Sequence, residues 1–236
     1  MTLLMDVERL SAELRRNKWL RYFAVFCRIA LALAFIPSGL VKVMGERFTA
    51  LPSNHPLGHY FDSLYLTGYY YTFIGASQLI AALLLLIPRT ALLGAIFYFP
   101  IILNICVLTY AVRFEGTRIA TLMLLANLFL LAWDYQRLKY ILPFSRPNGD
   151  HRVVETSKFP FLFFAFVFAA AASVIVINVF LYDIRPGNSQ IECTNGCTRG
   201  SPNACQHFCD CIYEQGNPLN VCLNEYQRAK DIDADD

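Results

Sequence analysis

One stretch, Phe161–Tyr182 (FLFFAFVFAAAASVIVINVFLY), constrains this chain more than any other. Across its 22 residues only Ser173 and Asn178 are polar ahead of the closing tyrosine. At about 1.5 Å per residue, a helix of this length crosses a hydrocarbon core of about 30 Å. A strongly apolar block precedes it, and a polar tail with six of the chain's eight cysteines follows. The side of the membrane on which that tail lies decides what its thiols can do.

Composition agrees with an all-α membrane protein. Hydrophobic residues make up 56% of the 236, far above an ordinary soluble domain. The formal charge of +2 hides an uneven distribution: from Asp183 onward there are nine acids against four Lys/Arg, and before it 16 bases against nine acids. The bases flank apolar spans instead of forming a stripe with exposed aromatics, so the pattern is not a nucleic-acid footprint.

Residues 1–18 read as an amphipathic surface helix. Leu3, Val7, Leu10 and Leu14 recur at helical spacing, with Arg9, Arg15, Arg16 and Lys18 available for anionic headgroups. A solvated polar leader is the alternative. Spans follow near Tyr22–Met44, Tyr70–Pro88, Ala91–Val112 and Arg118–Gln136, and Phe161–Tyr182 makes a fifth. The long leader and Arg28 within the first span argue against a cleaved signal peptide. With the N-terminus cytoplasmic, inner segments carry eleven Lys/Arg, from Arg9 to Lys158, and outer ones only Lys42, Arg47, Arg113 and Arg118. Trp19, Tyr22, Tyr69–Tyr71, Trp133 and Tyr135 then fall at the interfaces, and the tail lies outside.

Within residues 19–140 the first span, CRIALALAFIPSGLVKVMG, places an Arg ahead of a Ser-Gly-x-x-Lys turn. The second, GASQLIAALLLLIPRTALLGAI, runs from Gly-x-x-Gln to a short basic turn. In these features the chain resembles the DoxX-like membrane family, over about half its length. The resemblance implies a four-helix transmembrane bundle and an accessory role beside oxidoreductases or in the assembly of membrane and periplasmic proteins. The fifth span and the cysteine-rich tail depart from that family's pattern.

Gln78, Asn104 and Asn127 fall near mid-span, where an unpaired amide is costly, so they are expected to face inward and bond across helices. Together with Arg28, Ser38, Lys42 and Asp134 they form a candidate intramembrane polar pocket for a headgroup, a quinone or a client helix; inter-helix bonding alone is the plainer reading. Pro37 and Pro100 add freed backbone carbonyls nearby. Arg28 and Asp134 share a depth and are expected to pair, with snorkelling of Arg28 the alternative. In the outer loop, Pro56 and Gly58 are expected to deny His55 and His59 a common helix face, leaving a cap with Asp62 and Glu115 offsetting Lys42 and Arg118.

The tail's Cys193, Cys197, Cys205, Cys209, Cys211 and Cys222 read as a disulfide framework in a small domain on an oxidising face. Fifteen connectivities are open. Two i, i+4 pairs facing each other in antiparallel fashion would give Cys193–Cys209 and Cys197–Cys205, leaving Cys211–Cys222, with Asn217-Pro218 capping a last helix, Leu219–Lys230. Two alternatives compete with staples: zinc held by cysteines and His207, and a redox pair, for which Cys209-Asp210-Cys211 is the candidate. Cys27 and Cys106 lie singly in spans and read as packing.

The chain thus divides into a surface helix (1–18), a four-span bundle (19–140), a cytoplasmic loop (141–160), a fifth span (161–182) and an extracytoplasmic tail (183–236). The leading expectation is an accessory protein of a bacterial inner membrane: the bundle holds a lipid-like ligand or client helix, and the acidic tail docks a partner. Alternatives are a redox protein linking tail cysteines to a quinone, the one cofactor the reading admits, and a structural subunit of a larger complex. No metal is called for.

Overall fold

The computed structural model describes residues 15–135, 137–138, 158–197 and 201–235. The expected surface helix, with Leu3, Val7, Arg9, Leu10 and Leu14, and nearly all of the 141–160 loop lie outside the described residues. Among the described residues the fold is helical, without a β-strand.

Helix α1 (Lys18–Val43) starts where the Asn17 side chain accepts from Trp19 N–H, a donor that the first turn otherwise leaves unmet. A short helix α2 (Pro56–Tyr65) follows, then α3 (Tyr69–Leu86), α4 (Ala91–Ala111) and α5 (Thr117–Trp133). Helix α6 (Phe161–Phe180) leads into the tail helices α7 (Gln190–Asn195), α8 (Pro202–Tyr213) and α9 (Leu219–Asp235). The last runs beyond the expected Lys230.

Among the described residues four helices, α1, α3, α4 and α6, are long and apolar enough to cross a membrane. Helix α5 is shorter, at 17 residues, the lower edge of the spanning range.

Helices α1, α3, α4 and α5 close a ring, each packed on its neighbours, and α6 lies outside against α5. The core is built on small residues, Ala24, Ala32, Ala81, Ala82 and Ala95, that let helices approach closely around Leu31, Phe35, Tyr98 and Ile102. Tyr98 stacks on Phe35 with ring centres 3.7 Å apart and donates its hydroxyl to the Leu31 carbonyl at 3.2 Å. That satisfies a polar group which hydrocarbon would otherwise penalise.

Helix α6 is latched to the bundle near both ends. Phe163 packs on Phe23 and Phe129, 5.5 and 5.7 Å between centres. At the other end Asn178 donates to the Tyr110 hydroxyl at 3.2 Å, and Tyr182 donates to the Tyr110 carbonyl at 2.8 Å. Most of the remaining α6 surface is exposed, as a lipid-facing helix requires.

The α1–α3 crossing depends on two glycines. A Cβ on Gly75 would lie 2.6 Å from Lys42 Cβ and 2.8 Å from the Gly39 carbonyl. Gly75→Ala is therefore expected to force the helices apart and cost about 1–3 kcal/mol, read as a lower denaturation midpoint in detergent. Gly68→Ala is not a matched control, since Gly68 has φ +61; Ala81→Gly, which opens rather than fills the core, serves instead.

Candidate functional site

The seven residues of the expected pocket do not form one cavity. They separate along α1, where Arg28 and Ser38 are ten positions, about 15 Å, apart.

At the N-terminal end of α1, Asp134 is shared by two arginines. Arg15 Nη2 donates to Asp134 Oδ1 at 2.7 Å, and Arg15 Nε donates to the Trp133 carbonyl at 2.8 Å. The expected Arg28–Asp134 pair is present but longer, 3.6 Å, with side-chain exposures of 17% and 8%. Sequence reasoning missed Arg15 here, because the leader's charges looked destined for headgroups.

Near the opposite end, Ser38 donates to Gln78 Oε1 at 3.2 Å across the α1–α3 crossing. Buried Lys42 donates to Ser38 Oγ at 2.7 Å and to the Ser38 carbonyl at 3.0 Å, and its ammonium lies 3.9 Å from the Phe48 ring centre. The cap differs from expectation. Asp62 pairs with Arg47 at 2.6 Å and accepts from Ser53, so among the described residues no carboxylate pairs with Lys42. Glu115 does face Arg118, at 3.7 Å. Asn127, buried in the bundle, donates to the Ala95 carbonyl at 3.2 Å while its Oδ1 has no partner among the described residues. Asn104 is a correction: it is exposed. It lies two positions from both Ile102 and Cys106, which face the core, and at about 100° per residue that puts it on the opposite side of α4.

A second correction concerns His55. Pro56 does not deny a helix; it occupies the first helical position, where its missing N–H costs nothing. His55 is the N-cap, its Nδ1 accepting from Leu57 N–H at 3.1 Å, and it is fully buried, whereas His59 is exposed. The two histidines do not converge. His55 instead sits between Phe114 and Tyr213, 6.2 and 6.4 Å between ring centres. Beside it Asn54 donates to the Tyr213 carbonyl at 2.6 Å, and the Tyr213 hydroxyl donates to the Pro186 and Gly187 carbonyls. Arg113 adds a bond to the Ile184 carbonyl at 3.1 Å. The tail is seated on the mouth of the bundle.

Inside the tail the bonds are Cys193–Cys209, Cys197–Cys205 and Cys211–Cys222. Helix α8 is central: Cys209 reaches α7 and Cys211 reaches α9, because residues two apart on a helix point about 200° apart. That is why the Cys209/Cys211 pair named for the redox alternative does not exist as a bond. Three sulfurs, of Cys197, Cys205 and Cys209, lie within 4.8 Å of one another, but each is already in a disulfide and offers no thiolate for zinc. His207 points outward from α8. Around Phe208, Ile212 and Tyr226 the cysteines complete a small core, and Asp183 holds α9 through Lys230 at 2.6 Å and Tyr226 at 3.1 Å.

Two predictions follow from this geometry. Asp134→Asn removes the carboxylate from Arg15 and is expected to cost about 2 kcal/mol, whereas Arg28→Gln, losing a longer contact, costs less; paired unfolding curves in detergent read the order. The second concerns pH. Burial lowers the His55 pKa below its ordinary 6.5, with the Gly187 backbone opposing. The folded form thus binds the proton less readily than the unfolded one, so stability is complete above 6.5 and declines as pH falls through it toward the lower folded value. Release of the tail by limited proteolysis should therefore rise between neutral pH and mild acid, and the rise should be blunted in His55→Asn, which keeps a capping side chain.

No protein-family model matches the chain, and no solved structure matches it. It is similar to the uncharacterized protein YwoB of Bacillus subtilis (strain 168), with 35% identity over 133 residues that cover 54% of this chain and 85% of that protein. At that identity and coverage, this chain belongs to the family of the Bacillus subtilis protein.

Proposed function

We propose that this chain is an accessory protein of a bacterial cytoplasmic membrane, one that presents a rigid extracytoplasmic module to a protein partner and assists that partner's assembly. The observation that carries the reading is the junction at the bundle mouth. Asn54, His55 and Arg113 fix the tail through Tyr213 and Ile184, so the module is held in one orientation above the membrane. A stapled surface held rigidly loses little entropy when it binds, which favours docking over catalysis.

Several features support the orientation within this proposal. Arg15, Arg21 and Arg137 gather at the end of the bundle away from the tail, as cytoplasmic bases would. Three disulfides suit an oxidising exterior. On this reading α5 spans together with α1, α3, α4 and α6, the bundle is DoxX-like, and its polar ends hold a lipid-like ligand. The redox alternative loses its best candidate, since Cys209 and Cys211 belong to different buried bonds.

A photo-crosslinking residue at exposed Ile191 or Glu225 in the native membrane tests the docking. The expected result is one adduct of the same mass from both positions, absent when the label sits at lipid-facing Phe168, and a partner whose assembled form declines when the chain is deleted. Unchanged partner assembly in the deletion strain would overturn the accessory role.

A further inference from the structure

An open cavity of about 490 Å³ lies at the N-terminal end of α1, lined by Arg15, Arg21, Arg28 and Arg137 with Trp133, Asp134 and Pro88. Its volume falls within the range of small-ligand sites, about 300–1,000 Å³. Among the described lining residues, the three guanidinium groups of Arg15, Arg28 and Arg137 share the wall with one carboxylate, that of Asp134. That carboxylate is already engaged by Arg15 at 2.7 Å, and Arg28 stands 3.6 Å from its other oxygen.

Setting topology requires bases at helix ends, where they reach water and headgroups. Arg28 is not such a base. It lies ten positions inside α1, and its side chain is only 17% exposed. Arginines that converge on one space repel one another unless an anion lies among them. Arg15 registers this: burial lowers its pKa most, Asp134 opposes, and Arg137 and Arg28 add to the lowering.

We propose that this cavity binds a phosphate-bearing anion, the headgroup of an anionic membrane lipid, between Arg15, Arg28 and Arg137. The proposal deepens the reading in which the bundle holds a lipid-like ligand and rests on it. Guanidinium forks match phosphate oxygens two at a time, which a point-charge ammonium does not. Trp133 and Pro88 supply an apolar wall, so the site is suited to a charged head attached to an apolar body. Asp134 keeps the arginines in place when the anion exchanges.

The test is native mass spectrometry of the full chain in an uncharged detergent, with phosphatidylglycerol, phosphatidylcholine or inorganic phosphate at matched concentration. Phosphatidylglycerol should be retained about tenfold over phosphatidylcholine, and Arg137→Gln and Arg28→Gln should each erase most of that preference. Arg137 lies at the exposed rim, so its variant keeps the test valid if Arg28→Gln fails to fold. Equal retention of the two lipids, or variants that keep the preference, overturns the site. Tight inorganic phosphate binding with no lipid preference overturns the lipid as the source. Tail crosslinking reads the opposite end of the molecule: loss of lipid preference with intact partner assembly removes this inference alone, and the reverse removes the docking role.

Discussion

Two sulfurs on one helix organise the C-terminal part of this protein. Cys209 and Cys211 are two residues apart, and helical geometry sends them in nearly opposite directions, one toward α7 and one toward α9. A domain of this size has too little apolar surface to pack three short helices unaided. Bonds on both sides of α8 supply what the core lacks. Each constrains the unfolded chain over a loop of 8–16 residues, worth about 2–4 kcal/mol apiece. Tyr213, at the end of the same helix, then carries that rigidity to the bundle by bonding Asn54 and packing near His55. One helix links the staples, the core and the membrane anchor.

The bundle has the opposite problem. Its helices face hydrocarbon, so burial of apolar area does little to bring them together, and close approach and hydrogen bonds must. Gly39, Gly75 and the alanine core allow the approach. Ser38–Gln78, Asn127–Ala95 and Tyr98–Leu31 supply directed bonds. The charged residues are pushed to the two ends, where they differ in kind: an arginine-rich cavity below, and above it a lysine satisfied by a hydroxyl, a carbonyl and an aromatic face.

Patterns that repeat along the chain were readable in the sequence. Span limits came within a few residues because apolar runs end at charges and turns, and the disulfide pairing matches the one that i, i+4 pairs facing in antiparallel fashion would give. What depended on a single angle or a distant partner was not. Asn104 read as an inward amide because its depth was visible and its azimuth was not. Pro56 read as a helix breaker, yet position decides whether proline breaks or begins a helix. Arg15 reaches Asp134 across 119 residues, and nothing local marks that contact. Among the candidate site residues, sequence therefore named most of the polar groups but merged the two ends of the bundle into one pocket.

The most direct test of a stapled tail is a thiol census on intact native membranes, with alkylation before and after mild reduction and peptide mapping of the products. Six blocked tail cysteines that resist mild reductant, in peptides joining 193 to 209, 197 to 205 and 211 to 222, are the expected result. Free tail thiols, or a peptide in which Cys209 is bonded to Cys211, would contradict it.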